Sequence, residues 1–210
     1  MRAAVFSLLS AILLLAPAPV PAQTCGLVQG VSAAGGYVHY PVAGGTSGAA
    51  VGGDLTVDVR PAVVQLGYRR VLLDGDGADP DVGRAVVAYP AYRLAGLELC
   101  AVGHAGLARY TLDADAGWLV AGGIGATIAT ADGPLQPWVS VRGLGARTVG
   151  TVLGLDVDAS GLSLGVEAGL AAVFGPAALR LSGTVDGFDD GLGVTPYPGQ
   201  SAELALQIRF

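Results

Sequence analysis

The side chains able to do chemistry are few in this chain, and most are carboxylates. Asp74, Asp76, Asp79 and Asp81 crowd one short stretch, and Asp113 and Asp115 another. Asp74-Gly75-Asp76-Gly77-Ala78-Asp79 has the closely spaced carboxylates on a glycine-rich turn that could converge on a hard cation. It lacks the third acidic position of a calcium loop, where Ala78 stands, and the closing glutamate, where Ala85 stands. Turn formation and solvation therefore account for these aspartates, with weak divalent binding as the most they offer. Two histidines occur, His39 and His104. His104 shares a strand face with Glu98, and a His–carboxylate pair can serve a hydrolase. No serine is placed beside His104 to complete one. No metal cluster, nucleophile elbow or phosphate loop is present, and Gly123-Ile124-Gly125 lies inside a strand pattern, so no cofactor is expected. Cys25 and Cys100 make an even pair, which in an exported chain reads as one disulfide.

Those residues are placed by strands and by the connections between them. Ten segments of strand character are separated by Gly, Pro and Asp clusters, at roughly 27–40, 48–60, 62–73, 83–94, 97–110, 117–130, 135–147, 161–174, 177–187 and 201–210. Val51, Leu55, Val57 and Val59 share one face and Asp54, Thr56, Asp58 and Arg60 the other. Segment 83–94 carries Pro90 and alternates poorly; read as a loop, it would reduce the count to eight. Short turns near Arg60-Pro61, Ala95-Gly96, 131–134 and Gly175-Pro176 alternate with longer connections at 41–47, 74–82, 111–116, 148–160 and 188–200. The pattern predicts an all-β, single antiparallel up-and-down barrel.

Composition decides which face looks inward. Mean hydropathy is +0.57 and hydrophobic residues make up 52%, yet no apolar stretch after the N-terminus is long enough for a spanning helix. A soluble, lipocalin-like barrel would need large apolar side chains inside. Here the apolar face is Leu, Val, Ile and Ala, whereas the polar face mixes both charges with Gly and Ala. This predicts a membrane barrel with a polar lumen. Its inward charges would be Asp54, Asp58, Arg60, Arg69, Glu98, Arg142, Glu167, Arg180, Asp186, Glu203 and Arg209. Both signs are nearly balanced, as a self-satisfied plug requires; a selectivity-setting pore lining is the alternative. Tyr37, Tyr68, Tyr92, Trp118, Trp138 and Phe174 lie near strand ends, where an aromatic belt would fall. Lysine is absent, and beyond Arg2 ten arginines against 17 acidic residues leave a formal charge of −7. That excludes nucleic acid as a partner.

The ends complete the pattern. Arg2, the apolar run Ala3 to Leu15 and small residues at Val20 and Ala22 form a secretory signal peptide over residues 1–22, leaving 23–210 as the barrel. The chain finishes Leu204-x-Leu206-x-Ile208-x-Phe210. With these features it resembles the small bacterial outer-membrane β-barrel proteins of OmpX/OmpA type. The resemblance implies the outer membrane of a Gram-negative-type bacterium. It also implies assembly through the C-terminal strand by the barrel assembly machinery, and contact with outer-membrane lipid and lipopolysaccharide. Of role it implies little, because one barrel serves many. A largely side-chain-filled barrel with a structural or surface-interaction role leads; a narrow, porin-like solute channel follows. A soluble carrier and a barrel enzyme stand further back, so the chain is read as not an enzyme. A Cys25–Cys100 disulfide would draw the N-terminal segment across the periplasmic mouth as a small plug.

Overall fold

The computed structural model describes residues 24–40, 46–74, 79–112, 115–152, 155–189 and 199–209. Residues 1–22, expected to be a signal peptide, and Asp76, Asp113 and Phe210 lie outside the described residues. Ten antiparallel strands close into one barrel in which every strand pairs with its sequence neighbours and β1 pairs with β10. They are β1 (Gly30–Tyr40), β2 (Thr46–Val59), β3 (Ala62–Leu73), β4 (Asp81–Leu94), β5 (Leu97–Leu112), β6 (Asp115–Thr130), β7 (Leu135–Val152), β8 (Leu155–Phe174), β9 (Ala177–Asp189) and β10 (Gln200–Ile208). Among the described residues the fold has no helix.

The doubtful segment is a strand. β4 pairs with β5 throughout, with a bulge between Pro90 and Tyr92. Proline brings no N–H to a ladder, and a bulge absorbs it by leaving one residue unpaired. The extra residue also switches parity. Val87 and Tyr89 face out before it, and Tyr92 and Leu94 face out after it. The mixed alternation is the bulge itself.

Two expected loops are hairpins instead. β5 and β6 stay paired as far as Leu112 and Asp115, and β7 and β8 as far as Val152 and Leu155. β7 and β8 thereby reach 18 and 20 residues. Their outer faces turn polar at Arg147 and at Ser160, Asp158 and Asp156, so the apolar alternation stops while backbone pairing continues. At the other end the turns are tight. Ala95 (φ 49°) and Gly96 (φ 82°) both take the left-handed conformation that a two-residue type I′ hairpin demands.

Most of the large apolar residues face out. Leu162, Leu164, Val166, Leu170 and Phe174 of β8 are all exposed, as are Leu204, Leu206 and Ile208 of β10. From Leu162 to Phe174 the strand runs about 40 Å, or about 30 Å along the axis of a barrel whose strands tilt by about 40°. That is the scale of a membrane's hydrocarbon layer. The inner wall mixes polar and charged residues, Asp54, Arg69, Glu98, Arg180 and Asp186 among them, with small ones such as Ala88, Ala171 and Ala178 and a few larger apolar ones such as Val63, Leu119 and Leu144.

Candidate functional site: the charged lumen and its plug

Side chains at alternate positions of seven strands meet inside as two ion clusters. The first joins β2, β3, β4 and β10. Arg69 Nη2 donates to Asp54 Oδ2 at 2.8 Å and to Glu203 Oε1 at 2.8 Å, while Nε donates to Glu203 Oε2 at 2.7 Å. Its Nη1 reaches the carbonyls of Gly53 and Tyr68, both at 2.9 Å. All five guanidinium N–H groups are thus used. Arg84 Nη2 lies 3.1 Å from Asp54 Oδ1 and 3.6 Å from Glu203 Oε1. Ser32 Oγ donates to Asp54 at 3.1 Å.

The second cluster joins β7, β8 and β9. Arg142 Nη2 donates to Asp186 Oδ2 at 2.6 Å, and its Nη1 lies 3.4 Å from Glu167. Arg180 stands 3.8 Å from Glu167 and stacks over the Trp138 ring at 4.7 Å. Four arginines face four carboxylates across the two clusters. Glycines make the room. A Cβ on Gly67 would lie 2.3 Å from Asp54 Oδ1, one on Gly165 1.7 Å from Asp186 Oδ1, and one on Gly169 2.5 Å from the Trp138 ring.

Below these clusters lies a plug. Thr24 and Leu27 exchange backbone hydrogen bonds at 3.1 and 2.9 Å. Cys25 (φ 59°) and Gly26 (φ 76°) make the turn between them. Cys25 is disulfide-bonded to Cys100 on β5, and its N–H donates to Glu98 Oε2 at 2.9 Å. Gln207 on β10 donates to the Val28 carbonyl. Cys25 and Leu27 pack with Val63, Ala88 and Val102, and Val28 packs with Ala171 and Ala178. The segment therefore touches opposite walls and crosses the turn end of the lumen. Beyond it the lumen keeps a cavity of about 160 Å³ lined by both ion clusters and His104, enough for several waters.

Several expected placements differ. Asp58 and Arg60 do not join the lumen network. They pair with each other at 3.5 Å beside the β2–β3 turn, where Arg60 is 91% exposed; alternation puts them on the inner side, but at the height of the mouth, in an open recess with Thr24 and Arg93. Arg209 lies at the same end and reaches the Gly175 carbonyl at 3.4 Å. Glu98 is buried but serves the mouth, pairing with Arg93 and holding the plug. Trp138 is no belt residue: it is buried, and Gly169 opposite admits its ring. The other five, Tyr37, Tyr68, Tyr92, Trp118 and Phe174, are exposed.

Arg84 was missed by alternation because the β4 bulge blurs the parity of its segment. Testing each side of Pro90 separately would have put Arg84 inside with Val82, Val86 and Ala88. Of the acidic stretches, Asp79 caps the Leu73 N–H at 3.0 Å and Asp81 accepts from Tyr68 at 2.5 Å. Asp74 is an exposed bend, and Asp115 begins β6. Among the described residues, the one group of three clustered donor side chains is Cys25, Glu98 and Cys100, whose sulfurs are bonded to each other. His104 lines the cavity. His39 sits at the loop end of β1, its Nδ1 3.0 Å from Ser47 Oγ, which also lies 2.7 Å from the Tyr37 hydroxyl. No carboxylate among the described residues hydrogen-bonds that histidine to orient it.

No protein-family model matches the chain, and no curated protein does. A search of solved structures finds the crystal structure of Neisserial surface protein A (NspA). The TM-score is 0.39 and the identity 15%, over 87% of this chain and 98% of that one. The reading that follows rests on the barrel's own geometry.

Proposed function

We propose that this chain is an integral outer-membrane barrel of OmpX/OmpA scale, closed to solutes, with a structural or surface-interaction role. One observation carries the reading: the leucine and valine rows face outward while paired charges fill the inside. In water that arrangement would expose the apolar rows and bury the charges, the reverse of what solvation favours. In a bilayer the outer rows meet lipid, and the closed ladder, interrupted among the described strand pairs by the β4 bulge, leaves the sheet without a free edge. The tight turns and the plug would then face the periplasm and the long hairpins the exterior. The outward Leu204, Leu206 and Ile208 belong to the strand that seals the barrel, the strand the assembly machinery would engage.

The closed lumen favours a wall or a surface platform over a pore. A narrow channel remains the second reading, favoured by the cavity beyond the plug, and it requires residues 24–28 to move. Unboiled and boiled samples of the outer-membrane fraction on SDS gels test the membrane barrel, with a mobility shift on boiling expected. Planar-bilayer recording separates the two readings: no steady conductance is expected from the intact protein, and stable single-channel steps would establish the channel. A soluble, unshifted periplasmic protein would overturn both.

A further inference from the structure

On the membrane-facing side, one row of directly paired residues crosses three strand boundaries: Arg70 faces Asp81, Asp81 faces Arg109, and Arg109 faces Trp118. The row lies where the apolar wall ends. On β5 the outward Leu97, Leu99 and Leu107 are followed by Arg109. On β6 Trp118 follows Ile128, Ile124 and Val120. Although Asp81 sits between two arginines, its carboxylate accepts from the Tyr68 hydroxyl. Among the described residues, neither Arg70 nor Arg109 has a carboxylate within 4.0 Å. Arg109 lies over the Trp118 ring at 5.5 Å, and stacking on a ring face leaves the in-plane N–H groups of a guanidinium free to donate. Arg147, by contrast, is held by both oxygens of Asp158 at 2.8 and 2.7 Å.

The geometry points to a headgroup site: Arg70, Arg109 and Trp118 bind the phosphates of a phosphorylated glycolipid in the outer leaflet. This rests on the outer-membrane reading above. Two strand spacings separate the two arginines, about 10 Å, so they can meet two phosphates of one headgroup or of neighbours. Unpaired cations at the edge of a hydrocarbon layer are costly unless an anion joins them, and arginine holds phosphate in bidentate fashion. The indole of Trp118 sits at the interface beside them, where one end of the ring is wet and the other apolar.

The test uses the full protein in nanodiscs that contain bisphosphorylated lipid A in phosphatidylcholine, with bound lipid counted by native mass spectrometry. Heat-modifiable mobility is checked first, so failure to form a membrane barrel is seen separately from failure to hold lipid. Retention is expected for the wild type. It should fall at least about tenfold in the R70Q/R109Q double variant, the effect of losing one charge-assisted contact, and stay unchanged in Arg147→Gln. If the double variant does not fold, the wild type alone decides: it should retain lipid A and release the same lipid stripped of phosphate by alkaline phosphatase. Equal retention of the stripped lipid, or of phosphatidylglycerol, would overturn the proposal, as would an inserted wild-type barrel that holds no lipid A.

Discussion

The two ion clusters of the lumen contain the same residue types and differ in how they are held. Arg69 has every donor placed on a carboxylate or a carbonyl within 2.9 Å. Arg180 has one carboxylate at 3.8 Å and an indole face, and its Nε finds no partner among the described residues. Charge balance alone does not set what a buried arginine contributes; the number of acceptors it orders does. Arg69 cross-links β2, β3 and β10 close to where the first and last strands meet, the seam on which closure depends. Arg180 braces a wall already stitched by the longest hairpin.

The largest expected effect follows from removing Arg69. Arg69→Met leaves Asp54 and Glu203 facing Arg84 alone, so one buried and one half-buried carboxylate share a single guanidinium. Breaking a buried pair in this way costs about 3–5 kcal/mol. Urea unfolding of the folded protein in micelles should show that loss, with the heat-modifiable form surviving to a lower temperature. Arg180→Met should cost about 1–2 kcal/mol, the value of a desolvated cation–π contact plus a loose ion pair. Equal losses for the two would mean the lumen behaves as one pool of charge, and the contrast between clusters would fall.

Packing offers a second way to sharpen the contrast. Gly67 and Gly165 each stand where a methyl would strike a cluster carboxylate, at 2.3 and 1.7 Å. Gly67→Ala also meets Arg84 Nε at 2.8 Å, so it presses on two ordered groups. Gly165→Ala presses mainly on Asp186, with Arg142 Nε at 3.2 Å. Overpacking of this kind costs about 1–3 kcal/mol. Gly67→Ala should fall nearer the top of that range, because the Asp54 carboxylate is fixed by Ser32, Arg69 and Arg84 together. The same micelle unfolding series checks the order, and a larger loss in Gly165→Ala would reverse it.

Much of this fold was legible because strands repeat every two residues and one face meets a uniform surroundings. Leu162, Leu164, Val166 and Leu170 announced their strand and its outer side without any knowledge of neighbours. Legibility failed where a second rule intervened. At Pro90 the bulge changed parity, which hid Arg84, a member of the tighter cluster. At Ser160 the outer surroundings changed, so the apolar signal ended about five residues before the strand did. At Trp138 a large aromatic near a strand end suggested an interface, but Gly169 on the next strand decides the matter, and cross-strand partners are not visible along one chain. Asp58 and Arg60 had the right parity and the wrong height, since period two says which side a residue takes and nothing about its height along the barrel.

The smallest effect belongs to the pair furthest from the lumen. Arg147 and Asp158 join the β7–β8 hairpin beyond the apolar band, both well exposed. The hydrogen bond from Arg147 holds the Asp158 carboxyl below its ordinary range. A carboxyl depressed in the folded state adds stability above its unfolded pKa, and that contribution disappears as pH falls through the folded value. The pair should therefore matter at neutral pH and vanish in strong acid. At a fully solvated site its global contribution should be too small to shift the unfolding midpoint. Amide exchange across Val149 to Ser160 is the sensitive readout. Asp158→Asn should raise exchange in that hairpin at pH 7, and the difference from the wild type should close as pH falls through the folded-state value of the Asp158 carboxyl, where the wild type also loses the ion pair. A midpoint shift as large as that of Arg180→Met would show that the outer hairpin shares the cooperativity of the lumen, and the division between an ordered interior and a loosely held rim would have to be abandoned.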